Sequence, residues 1–166
     1  MARLLIELKK LSGGGAVLKC TRSDGSVTWQ RNEGRRGLFF AFHDLRHYAA
    51  ECMLGFQQGF YGLVASGWEM ADTTGKGSRG RLPDETLAVE HLVGLLDADG
   101  ASGSAASAAE FNQHAGAYAA QNNRPAPQPI TEEELEQIRS MAAALHAEWL
   151  GLPEGATMRL SFPPET

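Results

Sequence analysis

The sequence predicts an α+β fold: an antiparallel sheet of about four strands, three N-terminal and one C-terminal, covered by four to five helices. Three observations carry this. Leu4, Ile6 and Leu8 alternate with Glu7 and Lys9, and Met158, Leu160 and Phe162 alternate in the same way near the other end. One-sided alternation suits an antiparallel sheet with one wet face, because strands of a parallel sheet read as continuously apolar. Between those ends the apolar residues recur at helical spacing. With 166 residues and 43% hydrophobic side chains, a single domain spanning 1–166 is long enough to bury a core.

Taken in order, Arg3 to Leu11 reads as a half-buried strand, and Gly13-Gly14-Gly15 as a flexible turn. Ser23-Asp24-Gly25 separates Ala16–Arg22 from Ser26–Arg31, two β-leaning runs, and Asp-Gly there predicts a hairpin. Glu33 to Gly37 is a basic, glycine-bracketed connection. A helix then runs from Phe39 to Leu54, and Gly55 ends it. Phe60, Leu63, Val64, Gly67, Trp68 and Ala71 predict a second helix packed tightly on the first, its glycines admitting a close neighbour. Trp68 is assigned to the core.

Thr73 to Arg81 is a polar, basic, glycine-rich loop. Pro83, Asp84 and Glu85 suit the start of a third helix. Its leucines point inward until Asp97 to Gly103 breaks the pattern. Ser104 to Gln121 is an alanine-rich helix, and Arg124 to Pro129 a stiff extended connector. Thr131 with Glu134 matches a capping box, with Ile130 and Leu135 at the staple positions, and that helix runs to Leu150. Thr157 to Phe162 returns as a strand to the N-terminal sheet.

Composition excludes some functions. A net charge of −5 leaves no general field for a polyanion, so no nucleic-acid partner is expected. No apolar run is long enough to cross a bilayer, and the charged opening Met1–Lys10 does not read as a signal peptide. Cys20 and Cys52 are too few for a disulfide framework and read as small buried hydrophobes. The expected setting is cytoplasmic, with a small-molecule or protein partner and homo-oligomerisation left open.

The chemistry concentrates on the first long helix. At about 100° per residue, Phe42, Leu45, Ala49, Cys52, Met53 and Phe56 share one side, and His43, His47 and Glu51 form a row roughly 170° away. His43 and His47 are four residues apart, the spacing of two-histidine metal sites on helices. Glu51 lies about 12 Å along the axis from His43, too far for one ion to reach both. A glutamate directly after His43, which would complete His-Glu-x-x-His, is absent, so zincin peptidase chemistry is not indicated. A third ligand would come from Asp44 or from another element, among them Glu69, Asp72, Glu90, His91 and His114. Glu69 is the preferred metal ligand beside His43 and His47, and Asp44 and Glu51 are the candidate catalytic carboxylates.

Lys76, Arg79 and Arg81 could hold an anion or ride on a lid over the histidines, although the spacing departs from a P-loop and a solvated loop is the favoured reading. Leu54 and Ala50 share the histidine side, which points to a covered face.

The run Phe42 to Glu51, with Gly59-Phe60 and Gly67-Trp68-Glu69 after it, resembles a pattern in uncharacterised bacterial proteins that carry a His-Asp-x-x-His-Tyr-Ala-x-Glu helix. The likeness spans roughly the first 115 residues. It implies a bacterial, cytosolic chain and transfers no activity and no catalytic residue.

Two functional readings of different class follow. One is a metal-binding protein, extending to a small metal-dependent hydrolase that uses zinc, manganese or iron. The other is a non-catalytic protein-interaction domain with a solvated histidine face.

Overall fold

The computed structural model describes residues 3–77, 79–103 and 105–165. Strands β1 (Leu4–Lys10), β2 (Ala16–Arg22) and β3 (Val27–Asn32) form an antiparallel meander, with the hairpin turn at Ser23-Asp24-Gly25. The last strand, β4 (Thr157–Phe162), pairs antiparallel with β1, so the sheet order is β3-β2-β1-β4. Ile6 therefore stands between Cys20 and Leu160. The predicted α+β architecture is the observed one. No helix among the described residues is long and apolar enough to cross a membrane.

The helices are α1 (Gly34–Leu54), α2 (Phe60–Ala65), α3 (Asp84–Ser102), α4 (Ala108–Gln121) and α5 (Glu132–Gly151). Helix α1 lies between two apolar clusters. On the sheet side, Leu45 and Tyr48 pack with Ile6, Leu18, Cys20 and Trp149. On the other side, Ala49 and Ala50 pack with Val89, Val93, Phe111 and Ile138. Each fully buried valine, leucine, isoleucine or phenylalanine of these clusters contributes about 1.5–3 kcal/mol through removal of apolar surface from water. Thr131 and Glu134 make the reciprocal capping box at the start of α5 that the sequence predicts.

Four local expectations are overturned. Helix α1 begins at Gly34, so the Gly-Arg-Arg-Gly segment is its first turn; Gly37 has no Cβ and admits the backbone of Gly14 and Gly15. Helix α2 stops at Ala65, because Gly67 at φ +115° turns the chain out of the helical path. Trp68 consequently lies outside the core, half-buried beneath the Arg79 guanidinium. Helix α3 continues through Asp97 to Ser102, since Asp97 and Asp99 find basic partners on α1 and α5 while remaining helical. Helix α4 starts at Ala108 behind the Ser107 cap; the expected start at Ser104 lies outside the described residues.

Candidate metal centre

Helices α1 and α3 pack side by side and bring three ligand-type residues together. His43 and His47 stand one turn apart on α1, ring centroids 4.8 Å from each other in edge-to-face contact. Glu90 reaches across from α3. A ligating atom from each of the three lies within 4.8 Å of the others. Metal bonds of about 2.1 Å hold ligand atoms roughly 3–4 Å apart, so the widest separation in the cluster closes on an ion by roughly 1–2 Å. The three line a cavity of about 320 Å³ with Asp44, Gln30 and Thr73.

Each histidine is gripped by its own carboxylate. His43 Nδ1 is 2.6 Å from Asp97 Oδ2, and Arg46 Nη1 donates to the other Asp97 oxygen at 2.8 Å. His47 Nδ1 is 3.1 Å from Glu51 Oε2. Glu51 is itself fixed at the start of α2, where the Phe60 and Tyr61 amides donate to its oxygens at 3.0 and 2.9 Å. A Cβ on Gly59 would overlap the Glu51 carboxyl, so only glycine lets the chain pass there. A carboxylate on the far nitrogen sets the tautomer and ring orientation of a metal-binding histidine. In both rings that leaves Nε2 to bind, and His47 Nε2 already lies 3.3 Å from Glu90 Oε2.

Burial sets the electrostatics. His47 is 2% exposed and Glu51 1%. Desolvation opposes a charged His47 ring, yet its two carboxylate partners outweigh that and raise it to about 10. Glu90 is desolvated too, but the His47 contact holds it below the usual carboxylate range. Burial lifts Asp44 to about 7 against the pull of His43 and His47. Among the described residues the Asp44 carboxyl makes no hydrogen bond, although the residue is 5% exposed; only its main-chain oxygen is engaged, by the Tyr61 hydroxyl at 2.9 Å.

The sequence-stretch Phe42–Glu51 thus delivers His43, His47 and Asp44 to one cavity. Glu51 arrives beside them, but as the support of His47 rather than on the cavity wall. Glu69 does not join them. The turn at Gly67 sends it to the end of a short capped turn, where it lies 3.4 Å from Arg22 with its side chain 58% exposed. Glu90 takes the third place. Asp72, another candidate, answers Glu69 in the same cap, and His91 stacks on Tyr118 at 4.4 Å. The sequence reading places Asp97 in a break of the helix and assigns it no part in the site, although it stands seven residues after Glu90 and so on the same face of one helix. His47 and Glu51 are buried and His43 is partly so, and the row does not stand in open solvent. His43-Asp44-x-x-His47 also keeps the spacing of His-Glu-x-x-His, with aspartate where that motif carries its general base. The 73–82 loop flanks the cavity through Thr73, Thr74 and Leu82.

The chain matches no protein family model, no curated protein and no solved structure.

Proposed function

We propose that this protein binds one divalent metal ion, of the zinc, manganese or iron class, through His43, His47 and Glu90, and uses it to hydrolyse a small molecule in the cytoplasm. The observation that carries the reading is the convergence of three ligand atoms on a cavity, with a separate carboxylate behind each histidine. Two histidines and one glutamate leave a coordination position open for water, the donor set of catalytic rather than closed structural zinc sites. A metal held by His43, His47 and Glu90 would lower the pKa of a water towards neutrality. Asp44, on the same cavity wall, is the residue that takes the proton of the attacking water and returns it to the leaving group as that group's bond to the substrate carbon breaks. The cytoplasmic setting is supported by Cys20 and Cys52 standing as free thiols.

One observation favours a second reading. His47 contacts both Glu51 and Glu90, so a protonated ring bridging two glutamates would form a purely structural ion triad. Metal analysis of untagged protein separates the two. The metal reading expects about one ion per chain, with binding lost in His43→Ala and in Glu90→Gln by more than the roughly 10–100-fold that removal of an outer partner brings. Wild-type protein that takes up no zinc, manganese or iron, and whose melting is indifferent to chelator, leaves the structural triad.

A further inference from the structure

The charge inventory of the cavity selects the kind of molecule that enters it. Among the described residues, no lysine or arginine lines it. Lys76 and Arg81 are exposed in the loop between Thr74 and Leu82 and take no part in its wall. Arg46, on the helix that carries both histidines, is committed to Asp97. A bound dication would meet Glu90 directly, with Asp44 on the same wall and Asp97 and Glu51 behind the two histidines. The wall a substrate meets therefore carries carboxyl groups and no basic side chain. An anionic substrate gains nothing there, because a low-dielectric cavity magnifies the repulsion of its carboxylate neighbours.

The uncommitted polar groups point the same way. Gln30 on β3 offers a carboxamide that makes no hydrogen bond among the described residues, and an amide both donates and accepts. Asp44 offers acceptor oxygens in a nearly closed setting. Phe40, Phe60, Leu82 and Leu87 supply the apolar part of the same lining. At about 320 Å³ the space is at the lower end of small-molecule sites. Solvent reaches these polar atoms, so a ligand that displaces that water is favoured when it supplies N–H groups in its place.

Resting on the metal reading above, we infer that the cavity accepts a small uncharged or cationic molecule bearing amide or amine N–H groups beside an apolar part, and rejects carboxylates and phosphate esters. The test uses the full chain loaded with cobalt(II) and three probes that share one metal-binding head: acetohydroxamic acid, glycine hydroxamic acid with its ammonium group, and succinic acid monohydroxamate with its carboxylate. Cobalt absorption and calorimetry read the affinities. The uncharged and cationic probes are expected to bind at least tenfold more tightly than the carboxylate-bearing one. Gln30→Leu is expected to weaken acetohydroxamic acid at least threefold while cobalt affinity stays unchanged, which also certifies that this variant is folded. Equal or tighter binding of the carboxylate-bearing probe overturns the inference and leaves the metal site standing. Failure of cobalt to bind overturns both.

Discussion

Helix α1 has two interiors of opposite kind. Towards the sheet, Leu45 and Tyr48 meet Ile6, Leu18 and Trp149 in an apolar layer. Towards α3, next to the apolar contact of Ala49 and Ala50 with Val89 and Val93, Asp44, His47 and Glu51 gather near Glu90, with Asp97 and Arg46 bordering them, so one stretch of that seam is filled by ionisable groups. The first interior is held by removal of apolar surface from water, a force without direction that tolerates reshuffling at constant volume. The second is held by matched partners, and deletion of one strands another in a poorly solvated place. The apolar side therefore responds to lost volume, and the polar side to the loss of a single partner.

That division is broken most forcefully by Trp149→Ala. The residue is 2% exposed, and truncation of a buried aromatic costs about 3–5 kcal/mol. Urea unfolding is expected to show that loss, while metal stoichiometry measured on the folded fraction stays at the wild-type value. A smaller and opposite pattern is expected from Asp97→Asn. Its carboxylate holds His43 at 2.6 Å, and loss of such an outer partner lowers metal affinity about 10–100-fold. Competition against a chelating indicator measures this; an affinity equal to wild type would detach Asp97 from the centre.

The smallest effect sharpens the boundary between the two interiors. His146 on α5 stacks on Phe42 with ring centroids 4.2 Å apart, and its Nε2 lies 3.3 Å from the Phe42 carbonyl oxygen. Burial first, and then Arg46, hold its pKa below the ordinary histidine value. The unfolded chain thus takes up this proton more readily than the folded one. The contribution is complete above about pH 6.5 and declines as pH falls below it. In metal-free protein, His146→Phe is expected to lose less stability than wild type between pH 7.5 and 5.5. An identical pH slope in the two proteins would remove His146 from the account.

The sheet was legible because its signals are local. Alternation at Leu4–Leu8 and Met158–Phe162, and Asp24-Gly25 between two strands, each report on a few neighbouring residues, and Thr131 with Glu134 marks a helix start in the same way. Half of the site was legible for the same reason, since His43, Asp44 and His47 belong to one helical turn. Glu90 stood among several acceptable third ligands, and spacing along the chain could not choose between it and Glu69. Asp97 was read as a helix breaker because its partners, His43 and Arg46, lie more than fifty positions earlier.

By itself the sequence determined the periodicity of each element, the one-sided sheet and the pair of imidazoles on a single helix face, because those depend on backbone geometry repeated every two or every 3.6 residues. Tertiary structure alone decided that His47 is buried, that Glu90 comes up to the two histidines and that Glu51 and Asp97 stand behind the rings. Which distant carboxylate meets which histidine follows from how α3 lies across α1. That is settled by side-chain packing over the whole core and is written in no local stretch of residues.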